Sequence, residues 1–470
     1  MGKRPFKKIL IANRGEIAVR VLDACRKLGI RTVAVYSDAD RGAMHARMAD
    51  EAHYIGESPA AMSYLLGDRI IEVARETGAE AIHPGYGFLS ENASFASAVE
   101  RSGVVFIGPR ADAMKKLGDK IRARALAVKL GVPVLPGAKR ALKNPEDALA
   151  VARRIGFPVL IKASAGGGGR GMRLAHGEED FAGAIEEAMS ESQASFGSSE
   201  VFFERFVGNA KHIEIQILAD GRGGCVHFGE RECSVQRRHQ KVIEETPAAV
   251  MTDEMRGAMT DSAIRLAREA GYTNAGTVEF ILDEDRSFYF LEMNTRLQVE
   301  HPITELRFGV DLVALQIEIA AGAPLPFEQR EIAASGAAIE CRICAEDAAN
   351  GHLPSLGTVH ALKWPDIEGL RVDTALYEGC EITPHYDSLV AKISVHASDR
   401  VEAIRHMRCA LNNTEIRGIG TNIPLCEQVL TRPEFLSGEY YTNLLRRAPF
   451  AVDTKRPGGL SPDEWIDMYI

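Results

Sequence analysis

The chain has 470 residues, 46% of them hydrophobic and 26% charged, and a formal net charge of -9 at neutral pH. That length is too great for one ordinary core and predicts two to four packed units of a globular protein. The acidic balance excludes nucleic-acid binding driven by a basic surface. No apolar run approaches the roughly 18–20 residues of a membrane helix.

The start, Met1-Gly-Lys-Arg-Pro-Phe-Lys-Lys8, runs straight into the strand-like Ile9–Ala12 with no cleavable signal, and Gly2 lacks the Ser or Thr of a myristoylation motif. Residues 7–110 alternate short apolar strands with amphipathic helices: Lys8–Ala12, helical Glu16–Cys25, Thr32–Tyr36, and later Ala81–His83 and Val104–Ile107. This βαβ rhythm predicts an α/β unit, doubly wound and Rossmann-like, with helices on both faces of a parallel sheet. The turn Asn13-Arg-Gly-Glu16 lacks the GxGxxG fingerprint, so no dinucleotide site is inferred. In His83-Pro-Gly-Tyr-Gly-Phe-Leu-Ser-Glu-Asn92 the glycines permit close backbone approach to a ligand or another domain.

Lys115–Leu130 is helical in pattern and is stopped by Gly131-Val-Pro133. Residues 132–204 then read as a compact insert, with a helix near 146–155, a strand Pro158–Lys162 and the run Ala165-Gly-Gly-Gly-Gly-Arg-Gly-Met172. Successive backbone N–H groups in such a run suit phosphate oxygens. It lacks the GK[ST] ending of a Walker A loop. A flexible linker is the competing reading, but its place between two strands favours a hairpin lid.

His212, Glu214 and Gln216 share one face of an alternating strand, followed by a helix over 253–271. Gly276–Leu282 and Ser287–Met293 then form a hairpin around a polar turn. The most informative stretch follows. Glu292, Asn294, Arg296, Gln298 and Glu300 occupy every second position, so an extended chain would put them on one face. Glu279 can sit across from Glu292 or Asn294 if the hairpin register brings them together. Carboxylates with an amide oxygen are hard donors suited to Mg²⁺ or Mn²⁺ beside a phosphate, and Arg296 suits an anion.

Pro302–Ala321 is mostly helical, Pro324-Leu-Pro326 marks a boundary, and 335–450 has strands, turns and a helix near 400–411. The eight cysteines are dispersed, as in a reducing cytoplasm. Cys341-Arg-Ile-Cys344 has CxxC spacing but no second pair, and it lies in a strand-like run, so neither zinc nor redox duty is expected.

Together these pieces resemble the biotin carboxylase family of the ATP-grasp superfamily. The resemblance runs from about residue 7 to residue 445. It rests on Ile11–Ile17, His83–Asn92, Lys162–Met172, Gln236-Arg-Arg-His-Gln-Lys241 and Glu292-Met-Asn-Thr-Arg-Leu-Gln-Val-Glu-His-Pro302, in that order. It implies an N-terminal α/β domain (1–114), an ATP-grasp domain (115–331) whose small lobe at about 132–204 is a mobile lid, a C-terminal α+β domain (332–450), and a peripheral tail or linker start (451–470). The family reaction has two steps. Bicarbonate attacks the γ-phosphate of ATP to give carboxyphosphate, and deprotonated biotin N1′ takes up the CO₂ it releases.

By resemblance, Lys120 and Lys162 contact nucleotide phosphates, with Gly168, Gly169 and Met172 of the lid closing over them. Glu204, Arg205 and Val207 line the adenine pocket, and His212, Gln236 and His239 lie near ribose and phosphates. Glu279, Glu292 and Asn294 match metal-binding positions, for two ions of Mg²⁺ or Mn²⁺. Lys241, Arg296, Gln298 and the backbone of Val299 match the bicarbonate pocket. Glu300 matches the base that deprotonates bicarbonate, Arg342 the group that stabilises biotin's enolate-like oxygen, and Tyr86 borders the biotin site. Two departures stand out: Arg205 where many relatives have Lys, and Ala165 where the lid run usually starts with Gly.

No Ala/Val-Met-Lys-Met biotinyl motif occurs, so biotin is expected on a separate carrier protein or domain. The resemblance also implies a carboxyltransferase partner, a homodimer and a cytoplasmic location, the chain being a free subunit or a domain of a longer polypeptide. That partner selects the final acceptor, an acyl-CoA such as acetyl-CoA or propionyl-CoA, or pyruvate. A different ATP-grasp ligase would keep the metal and lysine pattern but would not need Arg296, Gln298 and Glu300 together with Arg342. A regulatory subunit without catalysis would not need Lys241, Arg296 and Glu300.

Overall fold

A computed structural model describes residues 6–138, 145–163, 172–196, 199–347 and 350–447. The glycine run with Ala165, Gly168 and Gly169, and the tail beyond 447, lie outside the described residues.

The N-terminal strands form a five-stranded parallel sheet in the order Glu51–Gly56, Arg31–Ser37, Lys8–Ile11, Ala81–His83, Val105–Phe106. Leu10, Val33, Val35 and Ile82 pack to one side with Ile70, Val73 and Val99, while Ile9 and Ile11 pack to the other with Ile17, Val21 and Leu22 of the helix Gly15–Lys27. Burial on both faces is why these strands read as continuous apolar runs. The fold is the expected doubly wound one. Its strand order reverses between Lys8–Ile11 and Ala81–His83, and their carboxyl ends continue into the two motifs Asn13–Ile17 and Pro84–Phe88. Ligand crevices of such sheets open at that point.

The second sheet has eight antiparallel strands: Phe288–Asn294, Asn274–Leu282, Lys211–Ala219, Cys225–Arg237, Gln240–Thr246, Ala337–Cys344, Leu389–Ala397 and Leu370–Thr374. The Pro324–Pro326 boundary does not interrupt it, because Ala337–Cys344 pairs with Gln240–Thr246, placing Cys341 opposite Ile243. Ile213, Ile215 and Ile217 pack against Met259, Ala263 and Leu266 of the helix Asp253–Ala270. His212, Glu214 and Gln216 face the other way and are buried as well. Polar groups there must therefore be paired inside the protein.

Between these bodies lies a small lobe. Val159–Ala163 pairs antiparallel with Arg173–Ala175 and with Val201–Arg205, and the helices Pro145–Ile155 and Glu178–Phe196 share its core of Ala148, Ala152, Ile161, Phe181, Ile185 and Phe203. The strands on either side of the glycine run are thus paired antiparallel with each other.

The extended reading of 292–300 holds only to Asn294. Phe288–Asn294 is the outermost strand, and beyond it the Thr295 N–H donates to Glu91 Oε1 at 3.0 Å instead of to a ladder. A turn at Val299–Glu300 leads into the helix His301–Phe308, whose first turn holds Pro302. The chain therefore bends, yet the alternate side chains still converge, as described below. Cys341 is buried in the C-terminal core while Cys344 lines the cavity, and residues three apart on a strand point to opposite faces, so the pair cannot ligate one ion.

Forced burial of carboxylates leaves a pH signature. Glu232 is fully buried; its Oε1 accepts from Lys211 Nζ at 2.9 Å and from Ser234 Oγ at 2.8 Å, while Oε2 has no hydrogen-bond partner among the described residues. Burial pushes its carboxyl up to about 7 against the pull of Lys211. A raised carboxyl binds its proton earlier in the folded than in the unfolded chain. Its contribution to stability is fully present below about pH 4.3 and is lost as pH rises through about 7. The variant Glu232→Gln is expected to flatten the fall of the urea midpoint between these limits. Coincident pH slopes in the two proteins would reject the assignment.

Candidate active site

A cavity of about 780 Å³ opens where the N-terminal sheet, the small lobe and the eight-stranded sheet meet. Every candidate site residue among the described ones lines it. Tyr86 comes from the N-terminal domain, and Lys120 opens the helix Lys120–Lys129. Lys162, Met172, Glu204, Arg205 and Val207 come from the small lobe and its exit, and the remainder from the large sheet and the 294–300 turn.

Local structure explains several placements. Lys120 is the first residue of its helix, and Asp119 caps that helix by accepting from the N–H groups of Ile121 and Arg122, an interaction of about 1 kcal/mol. Its ammonium reaches Glu292 at 3.4 Å. Lys162 and Glu204 are neighbours across paired strands and bond each other directly. His239 lies in a two-residue turn with Arg238, both left-handed (φ 50° and 66°), as a tight hairpin of this kind requires. Burial, with Arg446 and Lys162 nearby, holds the His239 imidazole below its usual range, so it is neutral at pH 7.

The hairpin register sets Glu279 opposite Glu292 and Thr277 opposite Asn294. Glu279 Oε1 accepts from Asn294 Nδ2 at 2.7 Å, Gln298 Nε2 at 2.9 Å and Lys241 Nζ at 3.0 Å, and His212 Nε2 lies 3.3 Å from its Oε2. Burial alone would raise the Glu279 carboxyl, but Lys241 and His212 outweigh it and hold it well below the carboxylate range. Two carboxylates and an amide on adjoining strands facing one cavity form a hard-oxygen set that fits a divalent cation.

Beyond them runs a chain of alternating charge. Lys241 Nζ donates to Glu214 Oε2 at 2.5 Å and to Glu300 Oε1 at 2.7 Å. Glu300 Oε2 accepts from Arg342 at 2.7 Å, and Arg342 also donates to Glu244 Oε1 at 2.6 Å. Glu300 is 1% exposed. Burial pushes its carboxyl up, and Lys241, Arg342 and Arg231 together more than reverse this, so it stays well below its usual range. Glu244, at the far end, is pushed up to about 7 by burial, against the pull of Arg342. Arg296 donates to Glu91 Oε2 at 2.9 Å and to Asn294 Oδ1 at 3.2 Å, leaving its planar fork at the cavity wall.

Four residues that complete this network were not singled out from sequence as site residues. Arg231, wholly buried, binds Glu214, Gln216, Thr304, Thr277 and Gln298. Glu214 neutralises Lys241, Glu244 pairs with Arg342, and Glu91 tethers Arg296. The alternation His212-Ile-Glu-Ile-Gln216 already placed Glu214 on the polar face, and Glu91 sits inside the His83–Asn92 motif. Nothing local marks Arg231 or Glu244: Arg231 meets Glu214 and Gln216 on the adjoining strand but also Thr277, Gln298 and Thr304 from later in the chain, and Glu244 meets Arg342 from 98 positions away.

Known proteins share this architecture. The family descriptions "Biotin carboxylase, N-terminal domain", "Carbamoyl-phosphate synthase L chain, ATP binding domain" and "Biotin carboxylase C-terminal domain" match residues 5–114, 119–328 and 340–447. Biotin carboxylase 1 of Bacillus subtilis is 48% identical over 441 residues, which is 94% of this chain and 98% of that protein. The propionyl-CoA carboxylase alpha chain of Ruegeria pomeroyi is 48% identical over 457 residues, covering 93% of this chain and 67% of that one. A crystal structure of the biotin carboxylase domain dimer of Hydrogenobacter thermophilus 2-oxoglutarate carboxylase, with MgADP, ADP and bicarbonate, superposes with a TM-score of 0.92 at 48% identity, covering 94% of this chain and 98% of that one. With the fold and 94% of the chain in agreement, the chain belongs to the biotin carboxylase family of ATP-grasp enzymes.

Proposed function

We propose that this protein catalyses the ATP- and bicarbonate-dependent carboxylation of biotin held on a carrier protein, giving ADP, phosphate and N1′-carboxybiotin. The observation that carries the reading is the Lys241–Glu300–Arg342 chain, which joins the nucleotide end of the cavity to its far wall through one ionised carboxylate.

Lys120 and Lys162 bind the phosphates, and Glu204, Arg205 and Val207 hold the base, with His212, Gln236 and His239 beside the ribose and phosphates. Met172 and the glycine run with Gly168 and Gly169 close over the nucleotide. Glu279, Glu292 and Asn294 would hold Mg²⁺ or Mn²⁺. Such an ion, when bound, neutralises charge on the transferring phosphoryl group. Arg296, Lys241, Gln298 and the Val299 N–H orient bicarbonate. Glu300, kept ionised by its cationic neighbours, accepts the bicarbonate proton as the oxygen attacks the γ-phosphorus and ADP leaves. Carboxyphosphate then splits into CO₂ and phosphate, and the phosphate takes the N1′ proton of biotin. Arg342 stabilises the oxyanion that develops on the ureido ring, and Tyr86 borders that subsite.

The H. thermophilus domain is a dimer, which supports a homodimer here. Relatives of near-equal identity (46–48%) include chains of propionyl-CoA, methylcrotonoyl-CoA, pyruvate and 2-oxoglutarate carboxylases, which supports acceptor selection by a separate carboxyltransferase. Among the described residues no helix is long and apolar enough to cross a membrane. The eight free cysteines support a cytoplasmic setting.

ADP release with MgATP and bicarbonate is expected to rise when free biotin is added, and Arg342→Ala is expected to lose that stimulation by about 10²-fold or more. Stimulation that survives in the variant would remove Arg342 from the oxyanion role. Release that ignores both biotin and a biotinylated carrier would point to a different ATP-grasp ligase.

A further inference from the structure

The Val299–Glu300 peptide lies in a turn outside any strand, yet both residues face the reacting end of the cavity. Its carbonyl oxygen is held from elsewhere. Lys392, on the strand Leu389–Ala397, is fully buried, and its Nζ donates to Val299 O at 2.9 Å. The same ammonium lies 3.2 Å from the carboxylate of Glu16 and 5.9 Å from the centre of the Tyr86 ring. Glu16 belongs to the first turn of the helix Gly15–Lys27, at the switch point of the N-terminal sheet. Its carboxylate is buried, and among the described residues Lys392 is the one cation in ion-pair reach of it.

Four charges on three elements face Lys392: Glu16 on the helix Gly15–Lys27, Asp373 on the strand Leu370–Thr374 and Glu340 on the strand Ala337–Cys344 favour its protonated form, while Arg371, also on Leu370–Thr374, opposes it. Burial works against the ammonium, and the three carboxylates outweigh it. Lys392 also sits directly across from Arg342 in the strand register. A peptide unit is planar and stiff, so fixing the Val299 oxygen also fixes the N–H and Cα of Glu300.

We propose that Lys392, anchored by Glu16, is a positioning residue that holds the Val299–Glu300 peptide so that the Glu300 carboxylate stays between Lys241 and Arg342. This gives the motif Asn13-Arg-Gly-Glu16 a function: Asn13 holds the carbonyls of Pro84 and Tyr86, and Glu16 holds the lysine that holds the base. The inference rests on the bicarbonate chemistry proposed above and adds two residues to it.

The test compares the wild type with Lys392→Met, Glu16→Gln and the double variant, determining KM for bicarbonate and for ATP separately from ADP release. Lys392→Met is expected to lose at least about tenfold in kcat/KM for bicarbonate, with the ATP KM within about twofold. Glu16→Gln is expected to lose about three- to tenfold with the same split, and the double variant to be no worse than Lys392→Met alone. A bicarbonate effect below about twofold, or both KM values rising in parallel as general loosening would cause, overturns the proposal. If Lys392→Met does not fold, the split in Glu16→Gln decides by the same criteria. A wild type that releases no ADP with bicarbonate refutes the functional reading and the proposal with it; an active wild type with unaffected variants refutes the proposal alone.

Discussion

Glu300→Gln is expected to lower bicarbonate-dependent ATP cleavage by about 10²- to 10⁴-fold, the usual weight of a general base. The amide keeps the size of the side chain but only one acceptor oxygen, so one of Lys241 and Arg342, which bind different oxygens of Glu300, meets the NH₂ instead; Lys241 still has Glu214 and Glu279, and Arg342 still has Glu244. What the amide loses is the capacity to take a proton. In the resting site three cations hold Glu300 ionised, which makes it a weak base until an anion enters. In the proposed reaction bicarbonate competes for Lys241, and the contact it draws away returns basicity to Glu300 at the moment the proton must move. The check is ADP release at saturating MgATP across bicarbonate concentrations, together with the melting temperature. A loss in kcat at unchanged melting supports the assignment, while a change below about threefold in kcat would transfer the base to another group.

Arg231→Leu is expected to destabilise the protein by about 3–5 kcal/mol, the cost of breaking one side of a buried ion pair. The guanidinium is wholly buried, and its five hydrogen bonds, from 2.6 to 3.2 Å, tie the strand Lys211–Ala219 to the hairpin, the 294–300 turn and the helix His301–Phe308. Leucine fills much of the volume but leaves Glu214 with Lys241 as its remaining cation. It also releases Gln298, which otherwise bridges Arg231 and Glu279. A lowered urea midpoint should therefore come with a raised KM for bicarbonate. An unchanged midpoint would show that the surrounding polar groups satisfy one another without the arginine.

Much of this was legible along the chain because alternation is local. The βαβ rhythm of 7–110 predicts a doubly wound sheet, and five parallel strands in that order are found. The hairpin at 276–293 was readable from its polar turn, and Glu279 does face Glu292. The helix Glu178–Phe196 went unread although Phe181, Ile185 and Ala188 have helical spacing. The extended course of 292–300 was misjudged at its second half, since a strand without a partner beyond Asn294 is free to turn and Glu91 turns it.

By itself the sequence determined which residue types meet the cavity, because periodicity of two and the order of the motifs depend only on neighbouring residues. The tertiary structure alone decided how their charges are balanced. Arg296 meets Glu91 across 205 positions of chain, Arg342 meets Glu244 across 98, and Lys392 meets Val299 across 93. Pairing at that range depends on strand register and domain docking, and a buried charge persists only where such a partner arrives.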